Sequence, residues 1–122
     1  MSDNTNVKVD ELLAKVPTGL LINGEWVDAS DGSTFDVENP ATGEVIATLA
    51  SATSEDAKKA MDAACAVQDE WARTSARERS ELLRRAFELV QERKDEFATL
   101  MTLEMGKPLA ESYGCLLYTS PS

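Results

Sequence analysis

The sequence predicts an α+β chain in which β hairpins come first and three to four helices follow. Two changes of pattern along the chain support this order. Between residues 20 and 49, apolar residues occur in short β-prone runs that are separated by turn residues. After residue 53 they recur at spacings of three and four, which places them on one face of a helix. The chain is therefore expected to divide into a β half and a helical half.

The composition is that of a soluble globular protein, with 43% hydrophobic and 28% charged residues among 122. The formal net charge is −10. Because nucleic acids and anionic membranes attract proteins that have surplus lysine and arginine, this charge argues against both kinds of partner. No signal peptide or membrane-length apolar run is visible, and with two cysteines and no histidine a zinc site or disulfide scaffold is not expected. We expect a cytoplasmic protein.

The β half follows a polar N-terminal arm, residues 1–17, which we expect to be flexible apart from one helical turn. β units are predicted over residues 20–49. Asn23 and Gly24 lie between two short apolar runs and favour a type I′ hairpin turn, because both tolerate positive φ. Residues 34–38 and 45–49 are predicted to form a second strand pair around a turn at residues 39–44. So thin a sheet needs another layer packed on it.

Four helices are predicted, over residues 54–72, 76–93, 94–105 and 108–114. The first follows Thr53 and has acids in its first turn, where the helix dipole favours them. The second begins with Ser75 and Glu78 at the spacing of a capping box. Gly106 is placed to end the third helix, and Pro108 lies in the first turn of the fourth. The apolar stripes expected to be buried are Ala57, Ala60, Met61, Ala64, Val67 and Trp71 on the first helix, and Leu82, Leu83, Ala86, Leu89 and Val90 on the second.

No group of residues in the sequence has the make-up of a catalytic site. Cys65 lies inside a predicted helix and has no histidine in the chain to activate it, so we expect a packed small hydrophobic residue. Lys107 follows one glycine and precedes a proline, which does not match a phosphate-binding loop and fits a helix stop and restart. Solvation, capping and core or interface packing explain the acid pairs and the tryptophans: Glu55 and Asp56, Asp69 and Glu70, Trp26 and Trp71.

Five strings, in order and at their separations, resemble the N-terminal part of the NAD(P)-dependent aldehyde dehydrogenase superfamily. They are LINGEW at residues 21–26, NPATGEVIA at residues 39–47, the amphipathic helix ending in Trp71, RER at residues 77–79 and TLEMGKP at residues 102–108. One string alone is weakly specific, whereas the five together cover about residues 18–114. Residues 101–111 look most like the succinate-semialdehyde dehydrogenase branch.

The resemblance implies an α/β parent protein with a Rossmann-type cofactor domain. Residues 18–114 would then supply the opening hairpins and outer helices of that domain. The implied reaction is the oxidation of an aldehyde, in this branch succinate semialdehyde, to the carboxylic acid with NAD or NADP. In this family a thiolate attacks the aldehyde, hydride passes to the nicotinamide, and a glutamate-activated water releases the acid. A homo-oligomeric parent is also expected.

The resemblance assigns no catalytic, cofactor-binding or metal-binding residue to this chain, which is expected to be inactive alone. Neither Cys65 nor Cys115 matches the context of the family's nucleophile. The family's catalytic cysteine, glutamate and oxyanion-hole asparagine correspond to positions beyond residue 122. Some members bind a structural cation near positions that match Glu38 and Glu104. Whether this chain binds a cation near these two residues stays open.

The last eight residues, CLLYTSPS at 115–122, are expected to be a non-native tail. The likeness to the family stops at Gly114. The eight residues are what one reading frame of a transposon-end sequencing adapter encodes, and the preceding base would complete the codon of Gly114. A genuine short C-terminus is the alternative.

Two alternatives to an enzyme fragment stay open. A free-standing helical interaction module would bind a partner through exposed apolar stripes and would unfold cooperatively by itself. A fragment would instead be poorly soluble or molten, because the sheet that should cover its helices is missing. A naturally truncated regulatory paralogue would differ from the fragment only in having a genuine stop codon.

Overall fold

The computed structural model describes residues 8–118 of the chain. In order, its elements are α1 (Val9–Lys15), β1 (Leu20–Ile22), β2 (Glu25–Val27), β3 (Thr34–Glu38), β4 (Val45–Ala50), α2 (Ser54–Arg73), α3 (Ala76–Glu92), α4 (Lys94–Met105) and α5 (Leu109–Tyr118). Two hairpins precede the four longer helices, as the sequence predicted. The starts of α2, α3 and α4 coincide with the predicted starts, and their ends differ from the predicted ends by at most one residue.

The strands form two separate antiparallel hairpins. β1 pairs with β2 around Asn23 and Gly24, whose φ angles are 52° and 79°. Positive φ at both central residues is the geometry of a type I′ turn, so the predicted turn is confirmed. β3 pairs with β4, and the Asn39 N–H donates to the Glu44 carbonyl at 2.9 Å to close the turn between them.

Capping boxes begin both long helices. At the start of α2 the Asp56 N–H donates to Thr53 Oγ1 at 3.2 Å, and the Thr53 N–H donates to Asp56 Oδ2 at 3.0 Å. At the start of α3 the Glu78 N–H donates to Ser75 Oγ at 3.2 Å, and the Ser75 N–H donates to Glu78 Oε2 at 3.1 Å. Each box satisfies backbone N–H groups that a helix leaves without a partner. The box predicted at Ser75 is confirmed, and that at Thr53 uses one of the predicted first-turn acids.

The N-terminal arm contains more helix than predicted. Residues 8–17 contain α1, and Leu12 on this helix is only 3% exposed. The structure thus has about two helical turns where one was predicted, and the burial of Leu12 and the favourable charges at both helix ends stabilise them. The flexibility of the arm stays a prediction. Residues 1–7 of the arm lie outside the described residues.

The last helix also runs further than predicted, to Tyr118 instead of residue 114. It packs on α4, where Ser112 is fully buried and its Oγ lies 3.1 Å from Thr102 Oγ1. The Tyr113 hydroxyl donates to Asp95 Oδ1 at 2.8 Å. Since neither glycine nor proline interrupts residues 115–118, the helix continues once these contacts hold it. Residues 119–122 lie outside the described part, and the foreign origin of the tail stays a prediction.

The core within residues 8–118 is small. Its buried apolar residues are Leu12 on α1, Ala29 in the loop after β2 and Ala98 on α4. Two of the three are alanines, so little apolar area is removed from water. None of the helices in the described range is both long and apolar enough to cross a membrane.

Replacing Gly106 and Gly114 by alanine should change stability in opposite directions. Gly106 caps α4 with φ 72°, and an added Cβ would lie 3.0 Å from Pro40 Cγ. Gly106→Ala should lower the free energy of unfolding by about 1–2 kcal/mol, the cost of a left-handed conformation for a residue with a side chain. Gly114 lies inside α5 with open space around it. Gly114→Ala should therefore raise the free energy of unfolding by about 0.5–1 kcal/mol.

The measurement is unfolding of the 122-residue chain followed by far-UV circular dichroism, with each variant compared to the parent sequence. A neutral Gly106→Ala variant would contradict the assigned helix cap.

Candidate docking surface

Most residues of the predicted apolar stripes are exposed in residues 8–118, and Ala60 and Val90 are half-buried. No residue of α3 is buried, and the side chains of Leu82 and Leu83 are 58% and 66% exposed. The expected burial of these stripes is wrong within this chain, because no described element lies over them. We call the exposed large apolar side chains of the two helices the docking surface: Met61, Val67 and Trp71 on α2, and Leu82, Leu83, Phe87 and Leu89 on α3.

A groove of about 1050 Å³ includes three side chains of this surface, Trp71, Leu83 and Phe87. Its apolar walls come from Trp71 at the end of α2, from Leu83, Phe87 and Val90 on α3, and from Leu116 on α5. We call it the Trp71 groove. Trp71 also borders a second, smaller depression, which it shares with Leu82 and with the acidic residues Glu78 and Glu81.

The charges that line the Trp71 groove are both positive, although the chain has a net charge of −10. Arg84 is already paired, since its Nη1 lies 2.7 Å from Glu88 Oε1. The partly exposed side chain of Arg79 makes no ion pair or hydrogen bond with the described residues. Arg79 therefore gives the groove an uncompensated positive charge.

The remaining sequence candidates lie apart from one another. Cys65 is exposed on α2, so its expected packing as a small core residue is wrong in this chain, where nothing described covers that side of the helix. Cys115 is exposed on α5.

The two tryptophans are also exposed. The side chain of Trp26 on β2 is 56% exposed and that of Trp71 is 46% exposed, which excludes a core position within residues 8–118 for both. Lys107 lies between α4 and α5, as the helix stop and restart required.

Asp56 differs most from the sequence interpretation. The sequence explains Asp56 by solvation and helix capping. Asp56 does cap α2, but its side chain is buried instead of solvated. Its Oδ2 accepts hydrogen bonds from the N–H groups of Thr53 and Ser30 and from Thr53 Oγ1, each at 3.0 Å. These bonds, with the Thr53 N–H first, lower the pKa of Asp56 to about 2. The Ser30 contact spans 26 residues, so no local pattern could have indicated it.

The other acid pairs behave as expected. Asp69 and Glu70 are exposed on α2. Glu55 is also exposed, and its Oε1 lies 3.0 Å from Lys59 Nζ. Such exposed pairs contribute little to stability, and nothing about them indicates catalysis.

Glu38 and Glu104 are both exposed, at the end of β3 and near the end of α4. The β3–β4 turn does reach the end of α4, because Pro40 lies directly against Gly106. Residues 8–118 nevertheless contain no group of three or more histidine, cysteine or acidic side chains that could hold a metal. The side chains of the described part therefore assign no cation ligand.

The described residues do not fit a dinucleotide cofactor. Such cofactors bind beyond the carboxyl ends of parallel strands, at a glycine-rich turn that leads into a helix. Both sheets in residues 8–118 are two-stranded and antiparallel. The described part of the chain has no parallel sheet edge at which NAD or NADP could lie.

Comparison with known proteins identifies the family. The sequence model described as the aldehyde dehydrogenase family matches residues 26–119, which is most of the chain. The chain belongs to the aldehyde dehydrogenase family. The resemblance seen in the five sequence strings is thereby confirmed.

Among relatives, the chain is 65% identical over 74 residues to a succinate-semialdehyde dehydrogenase of Paenarthrobacter nicotinovorans, covering 61% of this chain and 16% of the relative. It is 48% identical over 99 residues to a glutarate-semialdehyde dehydrogenase of Pseudomonas putida, covering 81% of this chain and 21% of the relative. The chain thus spans about a fifth of the length of these aldehyde dehydrogenases.

Solved structures give the same result. The crystal structure of betaine aldehyde dehydrogenase from Staphylococcus aureus in complex with NAD+ matches with a TM-score of 0.84 and 36% identity. The match covers 88% of this chain and 22% of that enzyme. The two hairpins and the helices therefore have the arrangement of part of an aldehyde dehydrogenase, which confirms the predicted α/β parent fold.

Acid should remove the stabilisation that Asp56 supplies. Its pKa in the folded chain, about 2, lies below the ordinary 3.8, so the contribution is complete above pH 3.8 and is lost as the pH falls towards 2. Asp56→Asn should lower stability at neutral pH and flatten the loss of stability over this acid range. Urea unfolding at a series of pH values, followed by far-UV circular dichroism, measures both effects.

Glu55→Gln, one residue earlier in the same helix, is the matched control and should leave the acid dependence unchanged. Parallel curves for Asp56→Asn and the parent sequence would show that Asp56 is not held ionised by Thr53 and Ser30.

Proposed function

We propose that this chain is the N-terminal part of an NAD(P)-dependent aldehyde dehydrogenase that oxidises succinate semialdehyde to its carboxylic acid. The observation that carries the proposal is the 65% identity over 74 residues to a succinate-semialdehyde dehydrogenase. The glutarate-semialdehyde dehydrogenase is 48% identical over a longer stretch of 99 residues. Both relatives are named for an aldehyde with a carboxylate at its other end, which favours a semialdehyde as the substrate class. We further propose a cytoplasmic, homo-oligomeric parent.

The chain's part in this enzyme is structural. Its exposed apolar side chains on α2 and α3 are suited to packing against a further layer of the same polypeptide. The antiparallel hairpins offer no cleft for NAD or NADP, and Cys65 lies inside a helix without a histidine in the chain. Cofactor binding and chemistry then belong to the rest of the parent, and the 122-residue chain alone is inactive.

An interaction module is the second candidate, and the Trp71 groove favours it, since an apolar groove with an unpaired arginine could receive a partner protein. The small core opposes it. Leu12, Ala29 and Ala98 are the buried apolar residues of the described part, which is little for a unit that must fold alone. A cooperative thermal transition in the near-UV circular dichroism of the 122-residue chain would favour the module.

The enzyme proposal predicts a contrast between two proteins. The 122-residue chain with succinate semialdehyde and either NAD or NADP should give no NADH or NADPH above the blank. The product of the gene recovered from its source and read past codon 114 should reduce one of the cofactors. Its kcat/KM for succinate semialdehyde should exceed that for glutarate semialdehyde, measured by absorbance of the reduced cofactor.

A full-length product that oxidises no aldehyde would refute the enzyme assignment. A full-length product with a higher kcat/KM for glutarate semialdehyde would refute only the proposed substrate. A source gene in which codon 115 encodes cysteine and a stop codon follows codon 122 would refute the non-native tail.

A further inference from the structure

The Trp71 groove exposes large apolar side chains to water. Leu83 and Phe87 on its wall are 66% and 43% exposed, and Trp71 at its edge is 46% exposed. Covering these side chains removes apolar area from water, which is the main favourable term in protein association. The occupant must therefore present apolar side chains of its own.

The charges of the groove restrict the occupant further. The chain has 22 acidic and 12 basic residues, yet the charged residues that line this groove are Arg79 and Arg84. Glu88 Oε1 lies 2.7 Å from Arg84 Nη1 and neutralises the charge of that arginine. Any segment that covers the groove takes the guanidinium of Arg79 out of water, which is unfavourable unless the segment supplies an opposite charge. A carboxylate matches the planar fork of a guanidinium better than any neutral group does.

We propose that the part of the Trp71 groove formed by α2 and α3 binds a polypeptide segment that presents apolar side chains and one carboxylate, and that the carboxylate pairs with Arg79. Leu116, on the remaining wall, lies in the predicted non-native tail and is not needed for this pairing. The inference rests on the proposed function in one respect, since it takes this segment from the rest of the parent polypeptide. A second copy of this chain is the competing occupant. The net charge of −10 on each copy opposes that association.

Two synthetic peptides test the proposal with the 122-residue chain. Both are short, capped at each end and helical with one leucine–alanine stripe, and they differ only by a glutamate or a glutamine beside that stripe. Trp26→Phe leaves Trp71 as the remaining tryptophan, because the chain contains two. Fluorescence of Trp71 during titration reports occupation of the groove directly.

The glutamate peptide should bind about five- to tenfold more tightly than the glutamine peptide, which lies between the upper value for an exposed ion pair and the lower value for a desolvated one. Arg79→Gln should remove this difference, and because its side chain makes no hydrogen bond or ion pair with the described residues, the far-UV spectrum should not change. Arg77→Gln is the matched control. Arg77 lies on the same helix but pairs with Glu81 at 3.1 Å and does not line the groove, so the preference should persist.

Equal binding of the two peptides, binding of neither, or loss of the preference in Arg77→Gln would overturn the proposal. Sedimentation equilibrium of the chain alone supplies a further test, since a dimer that Leu83→Asp dissociates would make the second copy the occupant. The enzyme assay tests the proposed function and the peptide titration tests the groove proposal, so either proposal can be refuted without the other. If the full-length enzyme is active but the 122-residue chain does not prefer the glutamate peptide, only the Arg79 pairing is refuted. If the chain prefers the glutamate peptide but the full-length product is inactive, the enzyme proposal is refuted and an interaction module remains.

Discussion

The need to cover apolar helix surface governs this structure. Seven large apolar side chains on α2 and α3 are exposed, whereas the buried apolar residues of the described part are one leucine and two alanines. Transfer of such partly exposed side chains out of water is worth on the order of 10 kcal/mol in total. That equals the entire stability of a typical domain. No element within residues 8–118 covers this apolar surface, and the described residues match about a fifth of the related enzymes.

Local interactions hold the elements in place despite the small core. Capping boxes begin α2 and α3, and a glycine in the left-handed conformation ends α4. Asp56 connects the two halves, because it caps α2 and also accepts the Ser30 N–H from the loop after β2. Pro40 lies against Gly106, which brings the β3–β4 turn to the end of α4. These contacts orient the docking surface and need no large core to form.

The sequence predicted the features that depend on neighbouring residues. Asn23 and Gly24 specify their turn, Ser75 and Glu78 specify a helix start, and Gly106 specifies a helix end, because each signal acts within a few positions. The family resemblance rests instead on strings of residues, two of which come together in the fold although they lie far apart in sequence. The NPATG and MGKP strings contain Pro40 and Gly106, two residues that pack against each other in the fold.

Burial could not be predicted in the same way. A helical stripe shows which side of α3 is apolar, but it does not show whether the covering layer lies within these residues, so Leu82 and Leu83 were wrongly expected to be buried. Cys65 was misplaced for the same reason. The contact of Asp56 with Ser30, and the groove that Trp71 forms with α3 and α5, join residues far apart in sequence. No periodicity or spacing encodes such contacts.

Hydroxyl-radical footprinting tests the central claim most directly, by comparing the oxidation rates of Met61, Trp71 and Phe87 in the 122-residue chain and in the full-length product of its source gene. If the rest of the parent covers α2 and α3, these side chains should react rapidly in the short chain and several-fold more slowly in the long one. Equal rates in the two proteins would mean that the surface stays open to solvent in the parent, which would contradict a covering layer on these helices.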